Sequence, residues 1–418
     1  MNTNTENKGW GTNFWLVALG KTVSQLGDGI FSIAMPWYIL SVTNSAIAMS
    51  VYLVVQNLSC GLGLLIFSQR IDVWKKEKIM YTADYIRAVY LFILFVSSMI
   101  DIPNKMLFIY LAAIILNLCM SVFNPASMSI ISLILDKEKL VKGNSILSII
   151  DNTISIIGLT VGIAIYEFLG VKLVFLFSSF FYFISGISEM FIKPNYPDCS
   201  EKKIQKKYGG LIAGIKYLHS HKKILFIILF ALIWNYIYIS IQSVYLPYLF
   251  NITFDGSIGY IGTIQILEGI GLIIGAALAS RVKMNRALEE NITKIVLIQM
   301  PIFVGLTITL LINKFIVNSV YFVAVSFLIL FFGLGLTVAI VNVNVNAIIQ
   351  GETDIEYMGR VNSLKSLGSM ISMALGLFIG GVLVDNIPIV IAFAINSALF
   401  ILLTLFMTKY FGIRKSHL

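Results

Sequence analysis

Long apolar runs dominate this chain, and the ionisable residues fall mostly in the short gaps between them. A helix that crosses a bilayer needs about 20 consecutive, mostly apolar residues. Runs of that length recur twelve times along the sequence. The predicted spans lie near residues 14–40, 46–67, 78–100, 106–135, 144–167, 171–192, 223–250, 259–280, 292–313, 317–350, 360–384 and 388–410. The pattern predicts an all-α membrane protein with twelve transmembrane helices.

Composition limits what else the chain can contain. Of its 418 residues, 58% are hydrophobic and 12% are charged, against roughly 25% charged in an ordinary soluble domain. Twelve spans use about 240 residues, which leaves short loops and no large soluble domain. The sequence has no G-x-x-x-x-G-K-[ST] motif and no His, Cys and carboxylate cluster at metal-ligand spacing. We therefore expect no enzyme activity, no cofactor and no bound metal.

The positive charges predict the orientation. The net charge is +9, but the basic residues lie beside apolar spans and not on one folded module, so we expect no nucleic-acid partner. With both termini cytoplasmic, 25 of the 30 Lys and Arg residues fall in inner loops and tails. This bias fits the positive-inside rule and requires an even number of spans. We expect a multi-pass protein of a cell membrane; the alternative is that one pair of segments forms a re-entrant hairpin.

The domain organisation follows from one long, lysine-rich gap. We predict an N-terminal six-helix bundle over 1–193, a cytoplasmic linker over 194–222, and a C-terminal six-helix bundle over 223–418. Apolar residues at helical spacing in the linker predict a short amphipathic helix on the inner membrane surface. Met35-Pro36-Trp37-Tyr38 parallels Leu246-Pro247-Tyr248 at the end of the first span of each half. These similarities predict two pseudo-symmetric bundles, an arrangement common in secondary transporters.

Asp28 lies near the middle of the first predicted span. An unpaired carboxylate there costs at least ~2.5 kcal/mol on insertion scales, so it should face the bundle interior or take up a proton. Lys21 stands seven residues earlier on the same helical stripe, with Gln25 between them. Two interpretations remain open. Asp28 is a proton or cation-substrate site, or it is packed neutral or hydrogen-bonded against another helix.

Two more positions place charge inside the membrane. Glu268 lies near the middle of the eighth span, and Gly271 and Gly275 after it permit close helix approach. It is the second candidate for proton coupling or substrate binding; the alternative is a protonated glutamate in a helix contact. Asp84 and Arg87, three residues apart on the third span, share a face and suit a local ion pair. For that pair we favour mutual neutralisation or contact with the loop between spans two and three.

Polar and aromatic positions supply further cavity candidates. Asn342 and Asn346 share a helix face in the tenth span, and interhelical hydrogen bonding is an equally good reading of them. Trp234 and Tyr238 in the seventh span could form part of an apolar, polarisable pocket, although most such residues simply pack. Gln25 joins these four as a candidate that lines the pathway.

Five short segments carry a resemblance to one family. They are Gly27-Asp28 with Ala34-Met35-Pro36-Trp37, the loop from Ser68 to Lys78, Lys142-Gly143-Asn144, Ala213-Gly214-Ile215-Lys216-Tyr217-Leu218, and Gly359-Arg360-Val361. In this order and at these separations they resemble the major facilitator superfamily, specifically its drug-efflux branch that includes bacterial macrolide exporters. The resemblance covers nearly the whole length of the chain.

The resemblance implies both a function and a gate. It implies a monomeric bacterial exporter that moves amphipathic or hydrophobic small molecules by proton antiport with alternating access, and so drug efflux and antibiotic resistance. It also implies that Asp72, in a loop with Lys75 and Lys76, meets the start of the eleventh span near Arg360 when the cytoplasmic side is closed. Two rival functions remain open: export of an endogenous product such as a siderophore or modified peptide, and a non-transporting sensor or scaffold.

The sequence also departs from the family pattern. Ser68 stands where the family favours glycine in the loop after span two, and Val73 stands where it favours arginine. The fifth span keeps Gly158 and Gly162 without the proline that family antiporters usually carry. No histidine falls in any predicted span, so a proton relay through the membrane would have to use carboxylates.

Overall fold

The computed structural model describes residues 11–100, 104–135, 137–194, 210–281 and 288–415, and every regular element in these ranges is a helix. The helices are α1 (Thr12–Thr43), α2 (Ala46–Val73), α3 (Lys76–Met99), α4 (Lys105–Ile134), α5 (Lys137–Met190), α6 (Gly210–Ser220), α7 (Lys222–Ser240), α8 (Leu246–Tyr248), α9 (Gly259–Arg281), α10 (Leu288–Ile312), α11 (Val320–Glu352), α12 (Ile355–Asn386) and α13 (Ile389–Lys415). Helices suit these apolar runs because each one satisfies its own backbone hydrogen bonds within lipid.

Two of the spans continue through π-helical turns. The seventh span runs from α7 through Ile241–Tyr245, the short α8 and Leu249–Thr253. The ninth span extends α10 through Asn313–Val317. The π-turns lengthen both helices without breaking the chain of backbone hydrogen bonds.

The twelve predicted spans are confirmed. Ten described stretches are long and apolar enough to cross a membrane. One of them, Lys142–Met190, is long enough for two crossings and breaks at Gly170, where φ is 78° and ψ is 172°. A residue with a side chain would be strained in that conformation, so Gly170 separates the fifth span from the sixth. The remaining crossing is α1, which is 32 residues long and includes Lys21 and Asp28.

The described chain forms two compact units. Unit 1 contains α1 up to Tyr38, α2 from Val55, and α3 to α5. Unit 2 contains α6 to α13 together with residues 39–54, which are the end of α1 and the start of α2. The structure therefore groups the turn between the first two spans with the C-terminal helices, whereas the sequence suggested a division by chain order alone.

Close backbone packing positions α1 in unit 1. A Cβ atom on Gly29 would lie 2.8 Å from the Cα of Gly158, and one on Gly162 would lie 2.7 Å from the Cα of Ile30. Small residues allow this approach, which is the usual way in which membrane helices gain packing contacts. The contact lies directly beside Asp28 and fixes the position of that part of α1 against α5.

The predicted amphipathic helix is present as α6, and it packs on α12. The hydroxyl of Tyr217 accepts a hydrogen bond of 3.0 Å from the backbone N–H of Asp354. A Cβ atom on Gly214 would lie 3.1 Å from the Cβ of Arg360. Tyr217 and Leu218 are buried, while Ile215 is 56% exposed. One side of α6 therefore covers the start of α12 and another side remains open.

Candidate functional site

Asp28 sits at the centre of the candidate site in unit 1. One carboxylate oxygen accepts a hydrogen bond of 2.6 Å from the hydroxyl of Tyr182, on the second half of α5. The other carboxylate oxygen lies 3.9 Å from a guanidinium nitrogen of Arg87 on α3. A third of the Asp28 side chain is exposed, at 33%, whereas Arg87 is buried. The carboxylate is therefore partnered on one side and open on the other.

Arg87 connects Asp28 to a second, fully buried carboxylate. Its guanidinium lies 3.4 Å from Asp84, one helical turn earlier on α3. Ser24 of α1 donates a hydrogen bond of 3.2 Å to the same oxygen of Asp84. A buried charge has to be paired, because an isolated one would be very costly. The structure extends the local Asp84–Arg87 pair, predicted from spacing, into a triad across two helices, Asp28–Arg87–Asp84.

Aromatic rings enclose the guanidinium of Arg87. Its central carbon lies 5.2 Å from the ring centroid of Phe123 and 5.3 Å from that of Tyr182. Cation–π contacts at this range stabilise a cation that has lost its water. Tyr182 thus serves both members of the pair, donating to Asp28 through its hydroxyl and facing Arg87 with its ring.

Lys21, seven residues before Asp28 on the same stripe of α1, has a different partner. Lys21 donates a 2.6 Å hydrogen bond and ion pair to Asp151 on α5. Glu189 is fully buried and accepts a hydrogen bond of 3.4 Å from Ser185. Glu189 does not reach solvent, because its part of α5 packs against Gly20 of α1.

A cavity of about 340 Å³ opens beside Asp28 within unit 1. Its lining residues are Gln25, Asp28, Gly29, Phe31, Ser32, Gln56, Leu116, Asn117, Met120, Ser155 and Leu159. The wall combines amide, hydroxyl and carboxylate groups with aromatic and aliphatic surface. A few polar groups set into an apolar wall are typical of small-molecule sites. The structure places two of the sequence candidates, Gln25 and Asp28, on this wall.

Glu268 occupies a different environment in unit 2. Tyr238 donates a hydrogen bond of 2.6 Å to one carboxylate oxygen, and Gln242 donates one of 3.1 Å to the other. Glu268 is 1% exposed. Within the described residues, these two hydrogen-bond partners are neutral, and Glu268 forms no ion pair. Both donors lie on the seventh span, so Glu268 ties α9 to that span.

The aromatic candidates of the seventh span belong to the same network. The rings of Trp234 and Tyr238 stack with centroids 4.8 Å apart. The indole N–H of Trp234 donates to the side-chain oxygen of Gln299 at 3.2 Å, and Gln299 donates to Thr337 at 3.1 Å. A chain of side-chain contacts therefore runs from Glu268 to α11. It links α7, α9, α10 and α11 through groups whose polar atoms are paired.

Glycines bring α9 and α11 into backbone contact at Glu268. A Cβ atom on Gly335 would lie 2.2 Å from the carbonyl oxygen of Glu268, and one on Gly271 would lie 2.5 Å from that of Phe332. A Cβ atom on Gly275 would lie 2.2 Å from the carbonyl oxygen of Leu336. The close approach that the sequence indicated for Gly271 and Gly275 is present in the structure.

The amide stripe of α11 divides into exposed and buried positions. Asn342 and Asn346 are exposed, and Asn346 accepts a hydrogen bond from Lys365 of α12. Asn344, on another side of the helix, is buried and donates to the carbonyl oxygen of Ile340. Asn342 and Asn346 are therefore open at the surface of the described chain, whereas Glu268 is buried.

The predicted gating loop is described in part. The side chain of Asp72 lies outside the described residues. Lys75 is exposed, while Lys76 is buried and donates to the backbone oxygens of Ile71 and Trp74. The guanidinium of Arg360 lies 5.0 Å from the ring centroid of Tyr357. Lys76 thus fixes the turn between α2 and α3, and Arg360 sits over an aromatic ring at the start of α12.

The family model described as Major Facilitator Superfamily matches residues 17–364. This chain belongs to the major facilitator superfamily. It is therefore a membrane transporter and not an enzyme, and its fold is that of the superfamily, with twelve transmembrane helices in two six-helix bundles.

Three named proteins illustrate where this facilitator stands within the superfamily. Macrolide efflux protein A of Streptococcus pyogenes is 23% identical over 409 residues, which cover 97% of this chain and 98% of that protein. The uncharacterized MFS-type transporter YfmI of Bacillus subtilis (strain 168) is 25% identical over 312 residues, covering 73% and 75%. The crystal structure of a bacterial homologue of the iron transporter ferroportin, in its inward-facing state, matches with a TM-score of 0.72 at 14% identity, over 95% and 98% of the chains. The last likeness shows the fold alone.

Sequence reasoning missed several partners of the two carboxylates. Tyr182 was one of 19 tyrosines, and nothing in its local sequence marks it as the donor to Asp28. Gln242 and Gln299 could have been noticed, because amides are uncommon in apolar spans and usually find partners on other helices. Arg87 was identified, but its reach to Asp28 depends on the distance between α1 and α3.

Proposed function

We propose that this facilitator is a secondary active exporter of amphipathic or hydrophobic small molecules, driven by proton entry through alternating access. The proposal includes a bacterial cell membrane and cytoplasmic termini, which the distribution of Lys and Arg favours. The observation that carries it is the placement of Asp28. Its carboxylate lines a cavity of about 340 Å³ and also lies 3.9 Å from the buried Arg87.

This placement allows Asp28 to exchange partners during transport. While Asp28 is charged, Arg87 and Tyr182 hold it in place. A proton arriving from the cavity would neutralise the carboxylate and weaken its attraction to Arg87, leaving the guanidinium to Asp84. A cationic or amphipathic cargo in the cavity would compete for the same carboxylate. Protonation and cargo binding would therefore exclude each other, which is what an exchanger requires.

The cavity wall supports the class of cargo. Phe31, Leu116 and Met120 offer apolar surface, while Gln56 and Asn117 offer amide groups. A molecule with an apolar body and a few polar atoms would satisfy both kinds of surface. Macrolide efflux protein A, 23% identical along nearly the whole chain, carries such a cargo class in its name.

The test measures uptake into inside-out vesicles that contain the full chain and have an acidic lumen, where uptake into the lumen corresponds to export from the cell. The probes are a radiolabelled macrolide and a fluorescent amphipathic cation. Asp28→Asn is expected to abolish gradient-driven movement of both probes, and a protonophore should do the same to the wild type. Glu268→Gln is the matched control, since Glu268 is a membrane carboxylate that is only 1% exposed, and it should retain driven export.

Driven export by Asp28→Asn at the wild-type rate would remove Asp28 from the mechanism. Failure of the wild type to move either probe, in vesicles where it is correctly inserted, would refute export of amphipathic drugs. Loss of driven export in Glu268→Gln with retention in Asp28→Asn would transfer the coupling role to unit 2.

A further inference from the structure

A second cavity, distinct from the one at Asp28, lies between α2, α3 and α4 of unit 1. Its volume is about 620 Å³, and we name it the lysine-rimmed groove. Its lining residues are Phe67, Val73, Trp74, Lys75, Lys78, Ile79, Thr82, Ala83, Ile86, Leu118, Cys119 and Val122. We propose that this groove binds an anionic phospholipid, with an acyl chain along its floor and the phosphate at its lysines.

The floor of the groove belongs to an apolar face. Ile86 is 46% exposed, and the same side of α3 continues through Val89 and Ile93, at 59% and 51% exposed. Exposed aliphatic side chains along a membrane-length helix are positions that face lipid tails. Phe67 of α2 and Val122 of α4 complete the floor. Apart from Thr82 and Cys119, the side chains that an acyl chain would meet there are apolar.

The positive charge of the groove is confined to one end. Lys75 and Lys78 line it and are exposed, beside Trp74, which is 45% exposed. Lys76, between the two lysines, instead donates to backbone oxygens of the turn. Two ammonium groups and an indole at the mouth of an apolar groove match a lipid phosphate at the membrane surface. Basic pockets between membrane helices on the cytoplasmic side are known to bind acidic head groups.

The indole of Trp74 provides a direct measurement. The full chain is reconstituted in phosphatidylcholine vesicles that contain an equal fraction of chain-brominated phosphatidylglycerol or chain-brominated phosphatidylcholine. Bromine quenches tryptophan fluorescence. The part of the quenching that disappears in the Trp74→Phe variant is the signal from the groove. We expect brominated phosphatidylglycerol to quench Trp74 at about 25-fold lower mole fraction, since each of the two lysines near the surface contributes about a factor of five.

Matched variants separate head-group binding from general surface charge. The double variant Lys75→Gln with Lys78→Gln should abolish the preference for phosphatidylglycerol and leave ordinary quenching. Lys142→Gln with Lys222→Gln removes two exposed lysines that do not line the groove, and should keep the preference. Thr82→Phe fills the groove from α3 and should reduce quenching by both lipids.

Three outcomes would overturn the proposal. They are equal quenching by both brominated lipids in the wild type, an equal loss of preference in the two lysine variants, and protection of Trp74 by an amphipathic drug but not by phosphatidylglycerol. The last would make the groove an entrance for cargo. None of these readouts depends on transport, so the lipid site and the proposed function can fail separately.

An independent observation concerns the end of α12 in unit 2. The carboxylate of Asp385 accepts three hydrogen bonds from the start of α2: from the Ser45 hydroxyl at 2.8 Å, the Ala46 N–H at 2.8 Å and the Ile47 N–H at 2.9 Å. The first N–H groups of a helix lack partners within the helix, so an acidic side chain stabilises them strongly. Here that cap comes from more than 300 residues away along the chain.

Neighbouring contacts join the same segments. A Cβ atom on Gly381 would lie 2.3 Å from the Ser50 hydroxyl. Asn251, after α8, donates a hydrogen bond of 2.7 Å to Ser41 at the end of α1. We infer that Asp385 is a releasable latch that holds the turn between α1 and α2 against the C-terminal helices at the extracellular end. This inference rests on the orientation and alternating access proposed above. Hydrogen bonds to a cap can be exchanged for water when the latch opens.

Cross-linking tests the latch without a transport assay. Ser41→Cys and Asn251→Cys are introduced into a chain whose three native cysteines are replaced by serine, and a short bis-methanethiosulfonate reagent is added, whose disulfide cross-link can be reduced. We expect efficient cross-linking, and a several-fold lower rate when Asp385→Ala is added. Asn386→Ala, the neighbouring residue that bonds only within α12 among the recorded contacts, is the control and should leave the rate unchanged.

An unchanged rate in Asp385→Ala, or an equal fall in Asn386→Ala, would refute the latch. Where the wild type transports, the cross-linked protein should stop transporting, and the reduced protein should recover. Cross-linked protein that transports at the full rate would also refute the latch. A chain that cross-links as expected but moves no probe would leave the latch standing and count against the proposed function.

Discussion

Asp28 and Glu268, the two carboxylates proposed from the sequence as coupling candidates, share one kind of contact and differ in their other surroundings. Asp28 and Glu268 each accept a hydrogen bond of 2.6 Å from a tyrosine hydroxyl, Tyr182 and Tyr238 respectively. Asp28 has a cation within 3.9 Å and a cavity at its open side. Glu268 is 1% exposed, and its two recorded partners in the described chain are neutral donors.

The difference favours the proposal that Asp28 exchanges partners and that Glu268 holds helices together. A partly exposed carboxylate beside a buried cation can be reached by a proton or a cargo, and the cation responds to its charge. We expect a buried carboxylate held by neutral donors to be harder for either to reach, and to contribute mainly the contact between α9 and the seventh span. Burial and partner choice, and not residue type, distinguish the two sites.

The largest expected effect comes from removing the cation beside Asp28, which leaves this carboxylate with neutral partners like those of Glu268. Arg87→Met removes the cation and leaves Asp84 buried without compensation, which costs about 3–5 kcal/mol. We expect most of the protein to be lost as aggregate on detergent extraction, measured by size-exclusion chromatography and thermal unfolding. Adding Asp84→Asn to this variant should restore folding but not driven export, because Asp28 still lacks its cation. A single Arg87→Met variant with wild-type stability would show that the triad is not coupled.

Matched tyrosine substitutions compare the two sites directly. Tyr238→Phe should lower the free energy of unfolding by about 1–3 kcal/mol, because the sealed Glu268 loses one of its two donors. Tyr182→Phe should lower it by less than about 1 kcal/mol, because Asp28 keeps Arg87 and its access to water, but it should reduce driven export several-fold. Thermal unfolding and vesicle export measure the two quantities. Equal losses of stability would contradict the comparison.

An effect of similar size is expected from the glycine contact between α9 and α11 at Glu268. Gly335→Ala would place a methyl group 2.2 Å from the carbonyl oxygen of Glu268 and force α9 and α11 apart, at a cost of about 1–3 kcal/mol. Gly333→Ala, two residues earlier, meets only the end of the Ile302 side chain at 3.4 Å and should change stability by less than about 0.5 kcal/mol. The melting temperatures of both variants test this, and indistinguishable values would mean that the helices can separate freely.

The smallest expected effect is at the Lys21–Asp151 pair, on the same stripe of α1 as Asp28. Asp151 has 32% of its side chain exposed, so water screens the pair. A double-mutant cycle with Lys21→Gln and Asp151→Asn should give a coupling energy of about 0.2–1 kcal/mol in thermal unfolding. A coupling energy near that of the Arg87 pair would extend the buried network of the Asp28 site toward the start of α1.

Hydrophobic patterning alone determined the number and order of the spans, because a lipid-embedded helix needs a fixed length of apolar chain. The same pattern located Asp28, Glu268, Asp84 and Arg87 as charges that require an explanation. It also indicated, through Gly271 and Gly275, that α9 has a close neighbour. These inferences depend on one helix at a time, and one helix is what a stretch of sequence encodes.

Tertiary structure decided which groups meet. Arg87 reaches Asp28, and Tyr182 rather than Lys21 completes that site. Asp385 caps α2. Each of these contacts depends on the distance between helices that are far apart in sequence. Lipid-facing and buried residues of a span are equally apolar, so the sequence carries little signal of which face turns inward. The roles of the two carboxylates follow from that packing, because burial and the nearest partner determine what a charged group inside a membrane can do.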